Sequence, residues 1–203
     1  MQATLRQRGL QLEYITLGWN VVGTGIVVAA AVAAQSVALA GFGLDSLIEI
    51  VASLVVVWQL QEIHQQRERT ALRIIGGAFV LLGVYVLAQS ARTFLTQAHP
   101  ATSLAGIAWL AATLIAMLLL AWGKQRTGQQ LGNEVLLREG RVTLIDAYLA
   151  AAVLIGLVLN TLFGWWWADP LAGLVIVYYG FREAWAIWQE ERHPAATPPP
   201  GPG

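Results

Sequence analysis

The stretch Ser36-Val-Ala-Leu-Ala-Gly-Phe-Gly-Leu-Asp-Ser-Leu-Ile-Glu-Ile-Val-Ala-Ser53 decides how this chain folds. It is the middle of a long apolar run, and it carries two acids, Asp45 and Glu49, four residues apart. In a helix that spacing stacks both carboxylates on one face, one turn apart. If the run crosses a membrane, two acids inside it are expensive and call for a functional reason.

The composition places the run in a membrane. Hydrophobic residues make up 57% of the 203 and charged residues 12%, against about 25% charged in a soluble domain. The mean hydropathy is +0.59. The fold class expected is therefore an all-α integral membrane protein. Net charge is zero, so nothing suggests a nucleic-acid partner, and the absence of Cys excludes disulfides and thiolate metal sites. Met1 to Leu10 is polar and the first apolar run is long enough to span, so no cleavable signal peptide is expected.

Working outward from the opening stretch, six apolar runs reach spanning length: about 14–34, 37–60, 72–95, 103–122, 142–163 and 168–188. Each is near the ~20 residues that a ~30 Å hydrocarbon core requires. Polar connections are expected at 61–71 and 123–141, and brief turns elsewhere. The tail 193–203 is Pro/Gly-rich and expected to be disordered, so residues 1–192 would form one six-helix domain. Of twelve Lys and Arg, all but Arg92 fall before the first run, between the second and third, between the fourth and fifth, or at the end of the sixth. That asymmetry predicts cytoplasmic N- and C-termini. Trp58, Trp122, Trp165, Trp166, Trp167, Trp185 and Trp188 sit near run ends, as an interfacial belt would. Asp169-Pro170 reads as the N-cap and first turn of the sixth helix. Gly18, Gly23, Gly25, Gly76 and Gly77 read as positions of close helix approach.

Depth brings a third acid to the first two. The second helix enters from outside near Val37, which puts Glu49 roughly 18 Å down. The fifth helix ends near Asn160, which puts Asp146 roughly 21 Å below the same surface. For that, the fifth helix must begin before Arg141, at about Val135, so its expected extent is 135–163. Three carboxylates at mid-membrane repel when ionised; they are tolerated when protonated or gathered around a cation. A group that holds either protons or a divalent cation couples the two by competition.

Three pieces of sequence resemble the cation diffusion facilitator family of six-helix divalent-metal/proton antiporters. Ser36 to Glu49 is similar to that family's second helix, with a small-residue lead before a ligand-x-x-x-acid motif. Thr143-Leu-Ile-Asp146 falls where the fifth helix closes its His/Asp-x-x-x-Asp motif, and Trp167-Ala-Asp-Pro170 resembles the start of the sixth. The resemblance covers about Leu10 to Trp188. It implies that Asp45, Glu49 and Asp146 are metal ligands of a transport site, with zinc the first expected substrate and a homodimer the expected assembly. There are departures. The fourth ligand position holds Val142, the second-helix motif ends in Glu49 rather than Asp, and neither a His-rich loop nor the cytoplasmic C-terminal domain is recognised. The chain resembles a reduced, divergent member.

Asn20, Thr143 and Glu139 are the candidates for the surroundings of the site. Asn20 is an intramembrane amide, with a helix–helix hydrogen bond as its simpler role. Thr143 is one residue from Val142, and Glu139 lies one turn below it, either guarding the entrance or solvated beside Arg138 and Arg141. Glu62, His64 and Glu68 have no spacing that fixes a metal site, and His99 and His193 carry no assignment. Carboxylates without imidazole or thiolate suit harder ions, so Mn, Fe and Co stand beside Zn as expected substrates. No prosthetic group is expected. The function expected is a secondary transporter in the cell (plasma/inner) membrane that exports a divalent cation by proton antiport. The alternative is a membrane binding or partner protein that keeps the fold without transport. An enzyme is not expected: no Ser/His pair, His-Glu-x-x-His or phosphate loop is present.

Overall fold

The computed structural model describes residues 2–60 and 65–192. These form six helices and, among the described residues, no strand: α1 Gln2–Ala34, α2 Val37–Leu60, α3 Gln65–Thr96, α4 Leu104–Leu131, α5 Glu134–Phe163 and α6 Ala168–Arg192. Among the described residues, four stretches are long and apolar enough to cross a membrane: Leu5–Ala34, Arg73–Thr96, Leu104–Leu131 and Leu136–Phe163. Glu62, His64, His193 and the 193–203 tail lie outside the described residues, as do the side chains of Trp58 and Glu68.

The expected polar connection at 123–141 is not a loop. Helix α4 continues to Leu131 and α5 starts at Glu134, leaving only Gly132 and Asn133 between them. Gln, Lys, Arg, Leu and Glu favour helix, so polarity alone does not end one. Gly132 does, by taking φ of +60°, a region open to glycine at no steric cost. Asn133 then caps α5, its side chain accepting from Leu136 N at 2.9 Å. The hairpin closes tightly: a Cβ on Gly140 would lie 3.1 Å from Gln125 N and 2.8 Å from Gln125 Cγ. The polar N-terminal residues likewise belong to α1, so Arg6 and Arg8 lie on that helix.

Helix α2 is the centre of the bundle, packing against α1, α3, α5 and α6, while α4 pairs with α5 and α3 with α6. Leu39, Phe42, Val153, Leu157 and Ile176 are buried among these helices. Within lipid, such packing stabilises through van der Waals contact rather than water release. Val32, Leu95, Ile115 and Leu119 point outward, and Trp122, Trp165, Trp167, Trp185 and Trp188 are exposed near helix ends. Of the small residues, Gly23 receives Trp109 and Gly76 receives Trp188, whereas Gly18, Gly25 and Gly77 meet nothing within 4 Å. Those three are not points of close helix approach among the described residues.

Asp169 caps a helix, but not its own. It lies in the first turn of α6, and its carboxylate accepts from Val37 N at 2.9 Å and Ala38 N at 3.4 Å. The Ser36 hydroxyl also donates to it, while Ser36 Oγ accepts from Leu39 N at 3.0 Å. The first three N–H groups of α2, which no intrahelical carbonyl can serve, are thus met by two side chains. This fixes the N-terminal end of α2, and with it the register of Asp45 and Glu49.

Candidate metal site

Asp45 and Glu49 stand on one face of α2, and Asp146 meets them from α5. Each offers a carboxylate oxygen, and these oxygens lie within 4.8 Å of one another. All three residues are buried: Asp45 is 3% exposed, Glu49 8% and Asp146 1%. Asn20, on α1, donates its amide to Glu49 Oε2 at 2.9 Å. It is therefore both a helix–helix bond and a neighbour of the acids. Apart from the Glu49 carboxyl, which lies within hydrogen-bonding reach, neither oxygen of Asp146 has a described donor. Two buried carboxyls in contact demand a shared proton or a cation.

A cavity of about 20 Å³ opens beside the acids, lined by Asp45, Glu49 and Asp146 together with Val142, Tyr179 and Glu183. About 10–15 Å³ suffices for one water, so there is room for one small occupant. Val142 closes one wall with methyl groups, which coordinate nothing. Thr143 is not on that wall. Its hydroxyl donates to Glu139 O at 2.9 Å and accepts from Lys124 Nζ at 3.1 Å. The turn of helix between residues 142 and 143 sends them in different directions.

Glu183, from α6, adds a fourth carboxylate that the sequence reading passes over. It lines the cavity and lies within electrostatic reach of Asp45. Spacing holds the signal: Glu183 lies fourteen residues, or roughly 21 Å of helix, beyond Asp169, the same separation as that of Asp146 from Asn160. Adjacent Arg182 draws attention to the helix end instead.

About two helical turns from the trio along α1 and α5 lies a second polar layer. Lys124 on α4 is fully buried and donates to Glu13 Oε2 of α1 at 3.0 Å, with Glu139 Oε1 of α5 at 3.5 Å. Glu139 is 8% exposed, so it is neither solvated nor a partner of bulk water; it is an ion-pair member. Glu13 and Lys124 escape a reading by runs because both fall just outside them.

The sequence matches the family described as the cation efflux transmembrane domain over residues 14–191. It is also similar to a Bacillus subtilis (strain 168) protein named cadmium, cobalt and zinc/H(+)-K(+) antiporter. The two are 25% identical over 132 residues, which is 64% of this chain and 42% of that relative. The aligned part thus spans less than half of the relative's length. With a family match across nearly the whole chain, the protein belongs to the cation diffusion facilitator (cation efflux) family and is a multi-pass membrane protein.

Proposed function

We propose that this chain is a secondary transporter that exports a divalent cation from the cytoplasm in exchange for protons. The substrate bound at Asp45, Glu49 and Asp146 is zinc first, with manganese, iron or cobalt as further candidates. The observation that carries this reading is the meeting of three buried carboxylates from α2 and α5 within 4.8 Å, one of them with no described donor outside the trio. Protonated, the trio is neutral and stable in the membrane; deprotonated, it is a ligand set for a small divalent ion. Competition between the two states is the chemical basis of exchange.

In this reading all six helices span, α2 and α6 included, with both termini in the cytoplasm. The protein works in the cell (plasma/inner) membrane as a homodimer. The relative's printed name, which joins cadmium, cobalt and zinc to protons and potassium, supports a divalent substrate and leaves the counter-ion to experiment. The test is cation flux into proteoliposomes under an imposed pH gradient. Wild type is expected to transport and Asp45→Asn to be inactive; equal flux in both would end the proposal.

A further inference from the structure

The polar layer around Lys124 has the build of a cation site. Three oxygens surround one nitrogen: Glu13 Oε2 at 3.0 Å, Thr143 Oγ1 at 3.1 Å and Glu139 Oε1 at 3.5 Å. Two carboxylates face one ammonium, and Lys124 and Glu13 are 0% exposed. The second oxygen of Glu13 has no described hydrogen-bond partner. Remove the ammonium, and what remains is a buried ring of two carboxylates and a hydroxyl, the hard-oxygen set that divalent cations take.

This layer stands in line with the carboxylate trio. Glu13, Thr16 and Asn20 are buried on α1 at spacings of three and four, and so are Glu139, Thr143 and Asp146 on α5. Those spacings make one continuous stripe on each helix. Seven residues, or roughly 10 Å, separate Glu13 from Asn20 and Glu139 from Asp146. Asn20 bonds Glu49 at the upper end, while Glu13 bonds Lys124 at the lower one. Two facing polar stripes inside a bundle make a route for ions, and this one would reach the carboxylate trio from the side of α1, α4 and α5. Lys124 stands in it.

We propose that Lys124 is a tethered cation that fills a second ion site formed by Glu13, Glu139 and Thr143, and so closes the α1/α4/α5 side of the bundle to free ions. Its fixed positive charge repels an incoming divalent ion and offsets one of the two carboxylate charges it faces, so the cluster attracts a free ion less than the bare carboxylates would. Ions then approach the trio by the other side, where Glu183 lines the cavity between α2, α5 and α6. This role rests on the transport reading for its purpose, but the site itself does not.

The test is titration calorimetry of purified protein with Zn²⁺ and with Mn²⁺, beside proton and cation leak in proteoliposomes without a driving gradient of the other ion. Lys124→Met keeps most of the side-chain length and removes the charge. It is expected to raise the bound ions from about one to about two per chain and the leak on the order of tenfold. The triple variant Lys124→Met/Glu13→Gln/Glu139→Gln keeps the packing and removes the carboxylates; it is expected to bind about one ion again. A folded Lys124→Met protein with the wild-type stoichiometry and leak would overturn the proposal, as would a second ion that persists in the triple variant. If wild type binds no cation, the transport reading fails by itself. Binding of one ion by Lys124→Met, and none by the triple variant, would then still support the plugged site, and no binding by either would overturn it.

Discussion

Asp169 and Ser36 are 133 residues apart in sequence and hydrogen-bonded in the structure, joining the start of α6 to the start of α2. The bond matters because each partner also serves the backbone of α2: Asp169 takes two N–H groups and Ser36 a third. Ser36→Ala is expected to lower stability by about 1 kcal/mol as a lost cap, and Asp169→Asn by about 1.5–3 kcal/mol as a lost charged acceptor. Combined, the two should fall short of additivity by about 0.5–3 kcal/mol. Unfolding in detergent micelles, monitored on wild type, both single variants and the double, measures each quantity. Strict additivity would mean that the two residues act independently.

Val142 sets the chemistry of the remaining wall. Val142→His would bring an imidazole to the cavity beside the three carboxylates, and imidazole suits zinc better than manganese. The variant is expected to shift the Zn²⁺/Mn²⁺ affinity ratio about tenfold toward zinc, or about 1.4 kcal/mol. Competition binding with the two ions reads that ratio directly, and an unchanged ratio would show that position 142 cannot reach the bound ion.

Glu183 stands beside Asp45 at the cavity but outside the group of three oxygens that lie within 4.8 Å. Its expected part is to attract the ion on approach, not to hold it. Glu183→Gln should raise the KM for cation uptake a few-fold, on the order of threefold, at low salt and hardly at all at high salt. Uptake kinetics at two ionic strengths distinguish this from a ligand, whose loss would persist in salt.

Cation affinity should fall as pH falls, because each ligand must be deprotonated to bind and protons compete for the same oxygens. The sign is fixed by the carboxylates: more protons, weaker binding, with the dependence flattening where all three are ionised in the free protein. Titrations across several pH values test it. An affinity independent of pH would separate cation binding from proton exchange.

The hairpin of α4 and α5 gives a purely structural expectation. A methyl on Gly140 meets the Gln125 backbone, and backbone cannot step aside as a side chain does. Gly140→Ala should destabilise by about 1–3 kcal/mol, the usual penalty of overpacking. Thermal unfolding compared with Gly77→Ala, where no described residue lies within 4 Å, provides the control.

Much of this was legible in the residues. The four-residue spacing of Asp45 and Glu49 already stacks them on α2, and simple counting along the helices puts Asp146 at a similar depth. Hydropathy marks the helices because lipid leaves the backbone no alternative partner. What escaped is polar and lies where apolar runs stop. Lys124 follows Gly123 and looks like the first residue of a loop, yet helix propensity carries α4 another two turns. Glu183 hides behind Arg182. Asp169 has the sequence of a cap for its own helix, and only the tertiary arrangement turns it toward α2. In each case the charge meets groups far along the chain, which its sequence neighbours do not reveal.

The two-residue link at Gly132 and Asn133 has a consequence for motion. Asp146 belongs to one arm of that hairpin and Lys124 to the other, and the hairpin leaves neither arm slack to slide past its neighbour. Any displacement of α5 carries α4 with it, so the spacing between Asp146 and Lys124 acts as a fixed ruler. A change of access at the trio must come from helices outside the hairpin moving across that ruler, not from the ruler being stretched.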